Sequence, residues 1–220
     1  DARFFDNFLV PKLAEGEQRR VAEVLDTLDE AIQKTEQVID KLKQMKQGLL
    51  HDLLTRGIDE NGELRDPERH PEQFKQTGLG GISRTWEVAR CEAVCREITV
   101  GIVVKPTQYY RESGIPVLRS ANVREHGVVM ADLKFMSPKD HSRMAKSAVR
   151  PGDLVTVRTG YPGTTAVVAP EVTEANCVDI IITRPGPTVV AEYLATWVNS
   201  DFGKGQVLSR QGGLAQQHFN

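Results

Sequence analysis

Residues 157 to 168 read VRTGYPGTTAVV, an arginine, a tyrosine and three threonines gathered on a turn that two glycines and a proline bend between apolar β-forming runs. The backbone N–H groups and hydroxyls of such a turn can hold a phosphate, and a guanidinium at its mouth can grip a phosphate or a guanine edge. No GKS or GKT follows the glycines, so this is not the phosphate cradle of a nucleotide hydrolase. The strand, GxGxxG and helix order of a dinucleotide fold is also missing. Alternation puts Val155 and Val157 on one face of a strand and Thr156 and Arg158 on the other. Read alone, the stretch is either an ordinary hairpin or a ligand loop. Arg158, with Thr159, Gly160 and Tyr161 beside it, favours ligand contact.

Three further clusters repeat this chemistry between β-like runs: Lys105, Gln108, Tyr109 and Tyr110 in KPTQYY; Arg119, Ser120, Asn122 and Arg124 in LRSANVR; and Arg210, Gln211, Gln216 and Gln217 in SRQGGLAQQHFN. Forked donors and acceptors of Arg, Asn and Gln match base edges in the major groove, while Lys, Thr and backbone N–H groups suit phosphates. Each residue alone is an ordinary surface residue. Four clusters in one region point to nucleic acid.

Other chemistries find little support. Cys91 and Cys95 lie four apart and Cys177 sits in an apolar run, a spacing better suited to free thiols than to a zinc site, and His51, His70, His126, His141 and His218 are scattered. There is no GxSxG, no spacing that pairs a nucleophile with a histidine, and no acidic pair with lysine of a nuclease core. Asp153 in PGDLV reads as a turn residue. The chain is expected to catalyse nothing alone and to bind no metal or cofactor.

These loops need a scaffold, and the sequence supplies two kinds. From Glu17 to Arg56 there is no proline, and apolar residues recur at Val21, Leu25, Leu28, Ile32, Ile39, Leu42, Leu49 and Leu53 in the 4-3 alternation of a heptad seam, interrupted at Thr35 and Lys46. This predicts a helix of roughly 40 residues, about 60 Å long, whose seam must pair with another helix. Gly57 reads as its left-handed cap. Residues 57–82 read as a polar linker, and residues 83–220 as a β-rich domain with a few short helices. One helix is expected near Ser137 to Ala148, capped by Ser137 with Pro138 at its first position. Another spans TVVAEYLATWVNS, with Val190, Tyr193, Leu194 and Trp197 on one face, and DFGKGQVLSR forms a third. The fold class is α+β.

Composition sets the frame. Of 220 residues, 40% are hydrophobic and 26% charged, with a net charge of −2. That mild acidity hides an asymmetry: residues 1–76 carry 12 Lys and Arg against 17 Asp and Glu, whereas residues 77–220 carry 16 against 13, eleven of the 16 being Arg. Arg is the cation for planar, bidentate contacts. No apolar run reaches the roughly 18 to 20 residues of a membrane span, and three cysteines suit a reducing compartment, so a soluble, cytoplasmic protein is expected.

Several phrases together resemble the specificity subunit (HsdS) of type I restriction–modification enzymes. PKLAEGEQRRVAEVLDTLDEAI is similar to that family's helix entry, with Gly16 departing from the usual pattern; LLHDLLTRG is similar to its helix end, and GISRTWEV to the start of its target recognition domain. TVGIVVKP, GIPVLRSANV, PGDLVTVRTGYPGTTAVV, YLATWVNS and GGLAQQHFN extend the likeness over nearly the whole chain. The resemblance implies residues 1–16 as helix entry, 17–56 as the conserved coiled-coil helix and 83–220 as a DNA-reading domain. It also implies double-stranded DNA, methyltransferase and restriction/translocase subunits as partners, with S-adenosylmethionine carried by the methyltransferase. The helix would pair with a second conserved helix of a longer chain or with a homodimer partner, so the sequence is expected to be a fragment or a half-size subunit. The other readings are a coiled-coil adaptor whose globular domain binds protein, and the recognition segment of a single-chain restriction–methylation enzyme.

Overall fold

The computed structural model describes residues 3–209, which fall into two compact units, Asp1–Leu50 and His51–Asn220. The first holds a short helix α1 (Arg3–Asp6) and most of the long helix α2 (Glu15–Thr55). At 41 residues, α2 starts two residues earlier than the sequence suggests and runs straight through Gly16. A Cβ at Gly16 would meet nothing within 4 Å, so the unusual residue leaves the helix entry unobstructed.

All eight seam residues are exposed, from Leu53 at 39% to Leu42 at 58%. Val24, Val38 and Met45 are exposed as well. With Ala31 they form a second row at seven-residue spacing beside the seam. The apolar face of α2 therefore covers three heptad positions, not the two that a two-helix seam requires. Sequence reading took only two because it matched the 4-3 template alone.

The second unit begins with the last turn of α2, where Leu54 and Thr55 are buried. Gly57 closes the helix as expected: its φ is +64° and its N–H donates to the Asp52 carbonyl oxygen. The Trp86 ring lies so near that a Cβ there would sit 2.5 Å from it. Residues 57–82, expected as linker, carry a bridge between Ile58 and Leu64 and a hairpin of β1 (Phe74–Thr77) and β2 (Gly80–Ser83). Asp59 and Asp66 fold the turns before it. Asp59 Oδ1 accepts from the N–H groups of Asn61 and Glu63, and Asp66 Oδ1 from those of Glu68 and Arg69.

Two four-stranded sheets follow. After a one-turn helix α3 (Cys91–Val94), the strands are β3 (Cys95–Val100), β4 (Ile115–Leu118), β5 (Val123–Arg124), β6 (Gly127–Val128), β7 (Lys134–Met136), β8 (Ala148–Val149), β9 (Leu154–Val157), β10 (Thr165–Val167), β11 (Ala175–Cys177) and β12 (Ile180–Pro185). The first sheet has the order β10-β9-β12-β3 and the second β7-β4-β11-β8, with β5 and β6 as a separate hairpin. All pairs are antiparallel except β4 with β11. Val155, Val157, Ala166, Ile180 and Ile182 of the first sheet share one buried cluster with Leu118, Val149, Ala175 and Cys177 of the second. The core thus lies between two sheet faces, and Val155 and Val157 point into it as the alternation predicts.

Helices finish the unit. α4 (Pro138–Arg143) has Ser137 as N-cap, its hydroxyl accepting from the Asp140 N–H. α5 (Ala191–Asn199) covers the outer side of the first sheet, where Leu154 meets Leu194 and Ala195. Val190 precedes α5 and is exposed, as is Tyr193. The buried face is therefore Leu194 and Ala195 with Ala191 and Val198 beside them, one step round from the expected one. Asn199 ties the helix to β10: its Oδ1 accepts from the Thr165 N–H at 2.9 Å and its Nδ2 donates to the Thr165 carbonyl at 2.8 Å. α6 (Asp201–Leu208) follows, capped by Ser200. Phe202 stacks between Trp197 and His51, with ring centroids 5.4 and 5.2 Å away.

Candidate nucleic-acid interface

One corner of the fold gathers three of the four polar clusters. β11 and β12 are consecutive stretches of one strand that leaves the second sheet at Val178 and enters the first at Ile180. Asp179 makes the corner at φ +51°, a conformation that Asp tolerates better than most non-glycine residues. The parallel pairing of β4 with β11 puts Leu118 beside Cys177, and the Val178 N–H donates to the Leu118 carbonyl at 3.0 Å. Arg119 and Ser120 leave from there. Ile102 bridges Val178, and its carbonyl accepts the Asp179 N–H, so the chain toward Lys105 leaves from the same place. The register Ile180 to Val157 sets Arg158 across from Asp179.

Asp179 holds the glycine turn through its side chain. Arg158 Nη1 donates to Oδ1 at 2.8 Å, and the Thr159 hydroxyl donates to Oδ2 at 3.0 Å. The Arg158 side chain is only 13% exposed, so the cation singled out in the sequence is braced against a carboxylate. Beyond it, Gly160 and Gly163 take φ of +95° and +88°. The Gly163 N–H returns to the Val157 carbonyl and the Thr164 N–H to that of Tyr161. This closed turn presents the Tyr161 ring to solvent, 84% exposed.

The Lys105 cluster is a turn of 3-10 helix, Pro106–Tyr109, with Lys105 before it at φ +44°. Tyr109 and Tyr110 are half-buried against the cluster of Ile102, Val117, Met136 and Val178. Burial pushes the Tyr110 hydroxyl above its ordinary pKa, and the nearby Arg119 charge opposes this. That opposition marks Arg119 and Tyr110 as electrostatic neighbours. Arg111 folds back onto the Gln108 and Tyr110 carbonyls.

Within LRSANVR the roles divide. Asn122 is 1% exposed. Its Oδ1 accepts from the Arg119 N–H, and its Nδ2 donates to the Val129 and Ala131 carbonyls. Expected as a base-contact candidate, it instead has its donor and acceptor capacity directed into the loop. Arg119 Nη2 donates to the Asp132 carbonyl. Ser120 is half-buried and Arg124 is exposed, its guanidinium donating to the Val123 carbonyl. Arg210, Gln211 and Gln216, with Gln217, lie outside the described residues.

Lys105, Gln108, Arg124, Gly160 and Tyr161 are thus the exposed ones among the described candidates, while Arg158, Thr159 and Arg119 are held in place by main chain or by Asp179. Asp179 itself went unselected in the sequence. Its one signal is a lone carboxylate inside the apolar run CVDIII. Among the described residues no group of three or more His, Cys, Asp or Glu side chains is placed to hold a metal ion, and no helix is long and apolar enough to cross a membrane.

No protein-family model matches the chain. Over 156 residues it is 26% identical to the type I restriction enzyme MjaVIII specificity subunit of Methanocaldococcus jannaschii, a match covering 70% of this chain and 34% of that protein. Its fold is similar to that of the HsdS subunit from Thermoanaerobacter tengcongensis, with a TM-score of 0.51 at 17% identity, covering 94% of this chain and 45% of that one. The chain spans about a third of the length of its curated relative and under half of the solved one.

Proposed function

We propose, as its likeness to the MjaVIII specificity subunit supports, that the chain is an HsdS-family protein and that its second unit reads one half of a split double-stranded DNA target for a type I restriction–modification complex. The observation that carries this reading is the convergence of the Lys105, Arg119 and Arg158 loops on the Val178–Asp179 corner. Phosphate contacts from Lys105 would set the register, and forked or aromatic side chains would reach base edges. With Arg119 and Arg158 braced beforehand, these two have little side-chain freedom left to lose on binding.

In this reading the chain binds and measures, and it does no chemistry itself. α2 pairs along Val21, Leu25, Leu28, Ile32, Ile39, Leu42, Leu49 and Leu53 with a second conserved helix or a second copy, and its length sets the distance between half-sites. A methyltransferase subunit carrying S-adenosylmethionine would then extrude an adenine for methylation, and a restriction/translocase subunit would join the assembled complex in the cytoplasm. The third apolar row of α2, Val24, Val38 and Met45, supports a partner surface beyond one helix.

The deciding experiment is co-expression of the chain with the methyltransferase subunit encoded beside it, followed by mapping of methylated adenines. A split motif whose methylation depends on this chain supports the reading. A stable complex with no methylation and no salt-dependent duplex binding would refute it, because phosphate-driven binding must fall steeply between about 50 and 200 mM salt.

A further inference from the structure

Away from that corner, two thiols meet at the start of the first sheet. Cys91 opens α3 and is exposed; Cys95 opens β3 and is half-buried. Their Sγ atoms lie 3.7 Å apart. Local backbone geometry brings them together. α3 is a single turn, Cys95 returns its N–H to the Cys91 carbonyl, and the chain then leaves in extended conformation at φ −111° and ψ 146°. The sheet holds this arrangement from the other side, because the Gly186 N–H donates to the Val94 carbonyl at 2.8 Å and Pro185 is the register partner of Cys95. Burial, and then the neighbouring Cys91, push the Cys95 thiol up to about 12. The third cysteine, Cys177, is fully buried in the core and serves as an internal reference.

We propose that Cys91 and Cys95 form a redox-active dithiol, which a small-molecule disulfide oxidises to an intrachain disulfide. In the first step the accessible Cys91 thiolate attacks one sulfur of the reagent, whose S–S bond breaks and whose other half leaves as a thiolate that takes up a proton. Cys91 then carries a mixed disulfide. In the second step Cys95 releases its proton to solvent and attacks the Cys91 sulfur, expelling the remaining half of the reagent. Two protein thiols are oxidised and one disulfide is reduced to two thiols.

The test uses the full chain, folded and reduced, treated with excess oxidised glutathione, then alkylated and weighed by mass spectrometry. The expected product has lost two hydrogens, carries no glutathione, and resists alkylation at Cys91 and Cys95, while Cys177 is alkylated once the chain is unfolded. Cys95→Ser should stop the reaction at a lasting glutathione adduct on Cys91, and Cys95→Ala provides the same trap should the serine disturb β3. A lasting adduct on the unsubstituted chain, a disulfide-linked dimer through Cys91, or two thiols still open to alkylation would each overturn the proposal. None of these outcomes depends on DNA binding.

Discussion

The brace between Arg158 and Asp179 invites a double-mutant cycle. Arg158→Ala removes the guanidinium. Asp179→Asn removes the charge but keeps a residue that tolerates φ +51°, so the corner itself stays intact. The pair lies between two reference cases. Exposed ion pairs contribute roughly 0.2 to 1 kcal/mol, whereas a hydrogen bond to a charged group in a sheltered site contributes about 1.5 to 3 kcal/mol. Arg158 is sheltered, but the Asp179 side chain is 39% exposed, and solvent screening there pulls the value toward the lower range. The expected coupling is about 1 kcal/mol. Urea denaturation of the wild type, the two single variants and the double variant measures it, and near 1 M salt the coupling should shrink toward half. Effects that add within about 0.3 kcal/mol at low salt would show that the contact does not stabilise the fold, and the argument that the loop is braced before it meets DNA would fail with it.

Three further outcomes can be checked on the same protein. Gly57→Ala forces a Cβ into the Trp86 ring at a residue with φ +64°, and should lower unfolding stability by about 2 kcal/mol or more; a loss below half of that would mean the helix end relaxes freely. Tyr161→Ala removes an exposed ring, so stability should stay within about 0.5 kcal/mol. Half-site affinity in the assembled complex should drop by roughly 1 to 3 kcal/mol if the ring stacks or packs on bases, and unchanged affinity would take Tyr161 out of the interface. Backbone N–H donors, chiefly that of Glu63 for Asp59 and that of Glu68 for Asp66, hold both carboxyls below their ordinary value of 3.8. Since the folded value is the lower one, their stabilisation is complete above the unfolded value and is lost as pH falls through the folded one. Carboxyl NMR titrations should therefore give midpoints under 3.8, and a midpoint at or above it would contradict the turn geometry.

What the sequence disclosed followed the range of the interactions involved. The long helix, the Ser137 cap and the Gly57 stop are written in residues at most four or five apart, and all three stand in the structure. The misjudged α5 face has an equally local cause, since Val190 sits before the helix and its side chain does not share the helical period. β1 and β2 escaped notice because FKQT and GGIS lack apolar alternation; they pair through main chain in a two-stranded sheet. Each polar loop could be picked out by composition, but their meeting point could not. It depends on β11 passing from one sheet to the other at Asp179, and on partners such as Leu118 and Ile102 that lie some 60 to 80 residues earlier in the chain. The spent side chain of Asn122 is likewise a tertiary fact, because its acceptors at Val129 and Ala131 come from beyond the next hairpin.

The strand that crosses both sheets also sets a timetable. Ile181 must find Val100, and Cys177 must find Leu118, so neither sheet can close until residues 175–185 have been made. At about 5 to 20 residues per second, roughly 4 to 16 s separate the synthesis of Val100 from that of Ile181. During that interval β3 has no partner strand, and β4 and β9, once made, each keep one edge unpaired. A nascent chain built this way should aggregate first when growth temperature rises, before the finished protein itself becomes unstable.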